Sequence, residues 1–282
     1  MIVLRLKGGL GNQLFQLVAA HYLGQSLHRK VYIDKSCLSR YRQGRTFDAA
    51  KLINCNDSAF FRGHAFQERF LELISFFRPS RLFPFLDLSD KDLQPAHDSF
   101  ALKFKKSLPL LFIDSYMLSC WSKSLFHEAL RQVPWLQCED VTLLHAVDFK
   151  DVAIHVRGGD FLALPAHNIC SYDHYRKCVN LAMLSGYRSF VIVTDDTSYG
   201  TSFLHKLKRD FPQAQFRQRE SSGEPLMDFF FLKNSFALVA GNSTFAFWAN
   251  ALSTSVLASW SSSRFTASLK KPFRFKCETW AD

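Results

Sequence analysis

The chain has 282 residues, 48% of them hydrophobic, and a mean hydropathy near zero. This excludes a disordered or fibrous polypeptide and leaves room for one large domain or two ordinary ones. Lys and Arg outnumber Asp and Glu by 35 to 25, a net charge of +10, which points to anionic partners: nucleic acid, a membrane surface or phosphate esters.

Along the chain, residues 2–6 form a short apolar run. Gly8-Gly9-Leu10-Gly11-Asn12-Gln13 follows, and then apolar residues at helical spacing from Leu14 to Leu23. Residues 31–34 read as a second strand, so the chain opens as a βαβ unit. Arg5 and Lys7 interrupt the first run, which marks it as a strand and not a signal peptide. Residues 36–108 are rich in Phe and Pro, with an amphipathic stretch over 70–77, and carry no pattern that assigns them. A strand is expected at 110–114 and a helix at 122–132. Pro134 and the polar residues 137–140 approach a domain boundary.

Beyond 151 the alternation is clearer. Strands are expected at 152–156, 189–193, 236–240 and 255–257. Helices are expected at 172–184 (capped by Ser171), 202–209, 226–232 and 245–252. Strands alternating with helices predict parallel, doubly wound sheets. The expected architecture is α/β, two such halves facing across a cleft and divided as 1–145 and 146–282.

The basic residues come in short clusters, such as Lys103-Phe104-Lys105-Lys106, and never as a long arm. That argues against nucleic acid and suits peripheral contact with an anionic membrane. No apolar run approaches the roughly 20 residues of a membrane span. Seven scattered cysteines without CxxC spacing indicate free thiols, hence a cytoplasmic setting.

Three loops carry the chemistry. Each sits where an apolar run gives way to an expected helix. In the first, Gly8 to Gln13 lack the Gly-Lys-Ser/Thr of a P-loop and the spacing of the dinucleotide fingerprint. Asn12 and Gln13 nevertheless place two amides at a helix start, where sugars and phosphates are held. In the second, Ile154-His155-Val156-Arg157-Gly158-Gly159-Asp160 delivers polar groups to a strand end. Arg157 there needs an anionic partner, either Asp160 or a ligand phosphate. In the third, Gly241-Asn242-Ser243-Thr244 either caps a helix or offers hydroxyls and N–H groups to a pyrophosphate. Asp195-Asp196 admits three readings: a Mg²⁺ site, a helix N-cap, or a carboxylate accepting from a guanine ring. Trp248 and most of the 29 phenylalanines read as packing.

The run Gly8-Gly9-Leu10-Gly11-Asn12-Gln13-Leu14-Phe15-Gln16 resembles the N-terminal signature of family 11 glycosyltransferases, the bacterial α-1,2-fucosyltransferases. His155-Val156-Arg157-Gly158-Gly159-Asp160 is similar to their HxRRGD motif, with Gly158 in place of the second arginine. Thr194-Asp195-Asp196 and Gly241 to Ala249 resemble the later motifs. The resemblance implies a GT-B-like fold, GDP-β-L-fucose as donor, transfer with inversion, and no metal or other cofactor.

It also implies roles for single residues. Arg157 holds the diphosphate, His155 and Asp196 lie near the guanine, Ser243 and Thr244 contact phosphate, and Asn12 lies by the fucose or diphosphate. The expected catalytic pair is Arg157 and Asp160, with Glu224 and Asp228 as further candidates for the base. The expected substrate-binding set is Gly9, Gly11, Asn12, Gln13, His155, Asp195, Asp196, Asn242, Ser243 and Thr244. The acceptor implied is a galactose 2-hydroxyl of a lipid-linked or surface glycan precursor, such as a lipopolysaccharide O-antigen. The alternatives are a transferase of the same fold using another nucleotide sugar, and a non-catalytic nucleotide- or glycan-binding protein.

Overall fold

The computed structural model describes residues 1–38, 46–52, 85–88, 93–96, 99–102, 110–118, 121, 123–133, 151–159, 162, 170–220, 223–253 and 258–261. The chain divides into two compact units, Met1–Cys138 and a second beginning at Glu139.

The first unit contains β1 (Ile2–Arg5), α1 (Leu10–Leu27), β2 (Val31–Asp34), β3 (Phe85–Leu88), β4 (Leu93–Ala96), β5 (Ser99–Leu102), β6 (Leu110–Ile113) and α2 (Lys123–Arg131). Four strands form a parallel sheet in the order β2-β1-β6-β3. β4 and β5 pair as an antiparallel hairpin. Ile2, Val3 and Leu4 are fully buried, because a strand inside a parallel sheet is covered on both faces and reads as an unbroken apolar run. α1 is buried along most of its length from Leu10 to Gly24, so its apolar residues do not keep to one stripe. It ends at His28 with φ 52°, where the N–H groups of His28 and Arg29 reach the carbonyls of Gln25 and Gly24. Trp121 and Phe126 meet edge to face at 5.6 Å, and Phe15 lies 6.0 Å from Phe126.

The second unit contains β7 (Asp151–Val156), α3 (Tyr172–Leu184), β8 (Ser189–Thr194), α4 (Thr197–Asp210), β9 (Gln215–Gln218), α5 (Pro225–Asn234), β10 (Ala237–Ala240), α6 (Thr244–Ala251) and β11 (Ala258–Ser261). All five strands are parallel, in the order β11-β10-β7-β8-β9. β7 is buried at every position. Its apolar residues pack with Tyr175, Cys178, Phe190, Phe203 and Phe216, and Phe190 stacks on Phe216 at 4.9 Å. α3 has the expected bounds, and its cap Ser171 accepts from the His174 N–H.

One expectation shifts. α4 begins at Thr197, five residues before the predicted helix, because Asp196 caps it. The last described strand is Ala258–Ser261, and the strand expected at 255–257 lies outside the described residues. The amphipathic stretch at 70–77 lies outside the described residues.

Both sheets reverse direction once. The chain enters the second sheet at β7, runs outward through β8 and β9, then returns on the other side of β7 as β10. In the first sheet β1 is flanked by β2 on one side and β6 on the other. Open α/β sheets place ligands at the carboxyl ends of strands at such reversals. The relevant edges are therefore β7/β10 and β1/β6.

Candidate functional site

At the carboxyl end of β7, His155 is buried and stacks on Phe245 at 5.6 Å between ring centroids. Burial, helped by the neighbouring Arg157 charge, pushes its pKa down to about 3. The ring is neutral at ordinary pH, and its Nδ1 has no hydrogen-bond partner among the described residues. Arg157 follows, with its side chain 20% exposed, and forms an ion pair with Asp195 at the end of β8.

Asp195 also accepts from the Gly158 N–H at 2.8 Å. The carboxylate beside Arg157 is thus Asp195, contributed by the next strand. The sequence suggested Asp160 for that place, and Asp160 lies outside the described residues. Gly158 is packed too tightly for a side chain: an ideal Cβ would lie 2.9 Å from Asp196 Cβ and 3.0 Å from Tyr199 Cδ1. Gly159 has φ +50°, with Asp195 Oδ2 2.9 Å from the Cβ site.

Asp196 is the N-cap of α4. Its Oδ1 accepts from the Tyr199 N–H at 3.0 Å and from the Ser198 hydroxyl at 2.8 Å. These bonds hold its carboxyl below the usual range. Of the three readings of the acidic pair, the helix cap describes Asp196. Among the described residues no three His, Cys, Asp or Glu side chains gather as a metal site.

Across the reversal, β10 leads into Gly241, Asn242 and Ser243. Ser243, buried, is the N-cap residue of α6 but gives it no side-chain hydrogen bond, and the first turn holds no acid. α6 therefore presents an open, positive N-terminus at Thr244 beside the end of β7. Asn242 spends its N–H on the Cys170 thiol at 3.2 Å. The Tyr175 hydroxyl donates to the His155 carbonyl at 3.2 Å and fills the space where a Cβ of Gly241 would stand, 2.1 Å away. Gly241 is a packing glycine.

No family model matches the sequence, and no curated protein matches it by sequence. Among solved structures, the chain is similar to a variant of Arabidopsis thaliana FUT1 in complex with GDP. The TM-score is 0.51 at 12% identity, covering 89% of this chain and 68% of that one. It is similar to the fucosyltransferase NodZ from Bradyrhizobium, with TM-score 0.51, 15% identity, and 89% and 92% covered. It is also similar to POFUT1 in complex with GDP, with TM-score 0.50, 11% identity, and 99% and 97% covered. The chain shares its fold with these structures. The likeness shows an α/β, GT-B-like architecture.

The far side of the same sheet, past β9, holds a second charged pair that the sequence did not reveal. Arg219, just past β9, donates from Nε to Asp228 Oδ1 at 3.1 Å, and its guanidinium lies 4.5 Å from the Phe231 ring centroid. Asp228 is in the first turn of α5. Burial raises its pKa, and the charge of Asp195 adds to the rise, against the opposing pull of Arg219. Glu224, the N-cap residue of α5, is exposed and makes no side-chain cap bond. Trp248 is fully buried, as the packing reading requires.

The glycine loop of the first unit divides its amides. Gln13 is fully buried. Its Nε2 donates to the carbonyls of Gly8 and Thr46, and its Oε1 accepts from the Ala49 N–H. Those bonds fasten α1 to the 3₁₀ turn at Asp48–Lys51 and leave no donor for a ligand. Gln16, also buried, binds both backbone groups of Lys7. Gly9 is the N-cap residue of α1, without a side-chain cap, and Gly11 is buried in the first turn. Asn12 is only partly buried.

Proposed function

We propose that this protein is an inverting, metal-independent glycosyltransferase. It moves L-fucose from GDP-β-L-fucose to the 2-hydroxyl of a galactose in a cell-surface glycan precursor. The observation that carries this reading is the β7/β10 edge, where the Arg157 guanidinium and the open N-terminus of α6 converge on one strand reversal. Both favour a diphosphate. GDP in the similar FUT1 and POFUT1 structures supports the same ligand.

In the proposed reaction the acceptor hydroxyl loses its proton to a base and bonds to the anomeric carbon. The bond from that carbon to the diphosphate oxygen breaks, and GDP leaves carrying the electron pair. Arg157, with Ser243 and Thr244 at the start of α6, stabilises the charge on the leaving group. A preorganised donor of this kind is worth roughly 10²–10³ in rate. His155 stays neutral and adds no charge of its own.

Because Asp195 and Asp196 are occupied by Arg157 and the helix cap, the carboxylate that accepts from the guanine ring is assigned to Asp228. Its Oδ1 is taken by Arg219, leaving Oδ2 for the purine. Asp160 then serves as the base, with Glu224 as the alternative. Residues 146–282 form the donor half and 1–145 the acceptor half. The protein works at the cytoplasmic face of a bacterial membrane.

Calorimetric titration with GDP, GDP-fucose, UDP and UDP-galactose, in EDTA and then in Mg²⁺, tests the donor. The guanine compounds bind in EDTA and the uridine compounds do not. Asp228→Asn weakens GDP about tenfold or more, as loss of a hydrogen bond from a charged acceptor requires. Preference for uridine, or dependence on metal, would overturn the donor assignment.

A further inference from the structure

We infer that His174 and Tyr175, consecutive residues of α3, form a clamp that sets the gap between Arg157 and the N-terminus of α6. Both act through backbone and are positioning residues for a ligand that spans the gap. The inference rests on the diphosphate reading of the β7/β10 edge.

Register places the clamp. His155 and Ala240 are Cα partners where β7 and β10 pair. Each gives its carbonyl to α3: the Tyr175 hydroxyl donates to His155 at 3.2 Å, and His174 Nε2 meets the Ala240 carbonyl at 3.2 Å. A carbonyl only accepts, so His174 carries a proton on Nε2. Neighbouring side chains of one helix thus hold the two strands of the reversal. Arg157 and Thr244 lie just beyond the two carbonyls along the chain, and the Arg157 backbone N–H faces the Tyr175 hydroxyl.

The clamp is stiff. Tyr175 is buried, and its ring stands edge to face with His174 at 5.2 Å and with Phe203 at 4.8 Å. Burial holds the phenol well above the ordinary tyrosine pKa, so the hydroxyl stays a donor. On β10, an ideal Cβ at Gly241 would stand 2.1 Å from that hydroxyl and 3.7 Å from Cys170 Sγ. The strand end is therefore seated directly on Tyr175. Cys170, next to the Ser171 cap of α3, accepts from the Asn242 N–H at 3.2 Å. Ala240, Gly241 and Asn242 are thus fixed in succession before α6 begins.

A fixed gap matters to a ligand with two anionic groups. A diphosphate reaches both Arg157 and α6, so its affinity depends on their spacing. A single phosphate meets one of them and is indifferent to it.

Calorimetry with inorganic pyrophosphate and GDP in EDTA, with phosphorus NMR for inorganic phosphate, reads the gap. Tyr175→Phe keeps the ring and removes the bond to His155. It weakens pyrophosphate and GDP about tenfold and phosphate less than about twofold. His174→Ala gives the same selective loss, and His174→Gln, which returns an N–H donor, recovers most of it. Phe216→Leu, in the same core but on β9, lowers the melting temperature and leaves pyrophosphate affinity unchanged.

If Tyr175→Phe loses its melting transition, the His174 variants decide. Pyrophosphate affinity that matches wild type in the folded clamp variants, or parallel losses of phosphate and pyrophosphate, overturns the clamp and leaves the diphosphate site standing. Failure of the wild-type protein to bind pyrophosphate or GDP overturns the diphosphate reading, and the clamp falls with it.

Discussion

Gly158 shows how one residue reshapes a motif. The HxRRGD motif that this stretch resembles carries a second arginine at this position, but here the backbone lies against Asp196 and Tyr199. Space excludes a side chain. Gly158→Arg is therefore expected to lower the melting temperature by several degrees, as overpacking of about 1–3 kcal/mol does, without tightening GDP. Stronger GDP binding at an unchanged melting temperature would refute this.

His155 makes a second residue-scale prediction. In the unfolded chain it takes up a proton near pH 6.5, whereas in the folded chain it does so only near 3. Its folded pKa is depressed, so the unfolded state binds more protons between those values and stability falls as pH falls. Urea unfolding at pH 7.5 and pH 5 should show wild type losing about 1.4 kcal/mol per pH unit below about pH 6, relative to His155→Gln. Parallel losses in the two proteins would disprove the assignment.

Among the elements, α6 carries the sharpest test, because its open N-terminus is proposed as a ligand site and not a folding feature. Thr244→Glu places a carboxylate at the first helical position, which stabilises a helix by about 0.3–1 kcal/mol. The same charge repels a diphosphate. The melting temperature is expected to hold or rise while GDP affinity drops at least tenfold; unchanged GDP affinity would remove α6 from the site.

Elements with strong local signals were legible in the sequence. α3 announces itself through Ser171 and its apolar spacing, and β7 through an unbroken buried run. β9 did not, because Gln215-Phe216-Arg217-Gln218 is an edge strand with one apolar residue, too short to show a period. β3 to β5 lie in the Phe- and Pro-rich stretch that has no pattern. The need of Arg157 for an anionic partner was legible, because a strand-end arginine demands one. The partners of Gln13 and Asp195 were not, since they come from Thr46, Ala49 and the end of β7. Long-range hydrogen bonding of this kind leaves no mark on local sequence. Arg219 and Asp228 were separable only once β9 and α5 were placed.

For the whole molecule, the excess of ten positive charges has no counterpart in an arm or patch motif, and no helix among the described residues is long and apolar enough to cross a membrane. The charge instead predicts reversible adsorption. Sedimentation with phosphatidylserine vesicles should carry the protein down at low ionic strength and release it at about 0.5 M salt, where screening is strong. Vesicles of neutral lipid should leave it in solution. Binding that ignores salt would rule out electrostatic adsorption.

The contact between Tyr175 and Gly241 has a consequence for descent. Its hydroxyl occupies the volume that any other residue at 241 would claim, while also tying down the end of β7. Position 241 cannot gain a side chain alone. A lineage that acquires a side chain at 241 must first or simultaneously shrink the residue at 175, and in doing so it releases the carbonyl of His155. The residue allowed at 241 thus depends on the one at 175, although 66 positions of chain separate them.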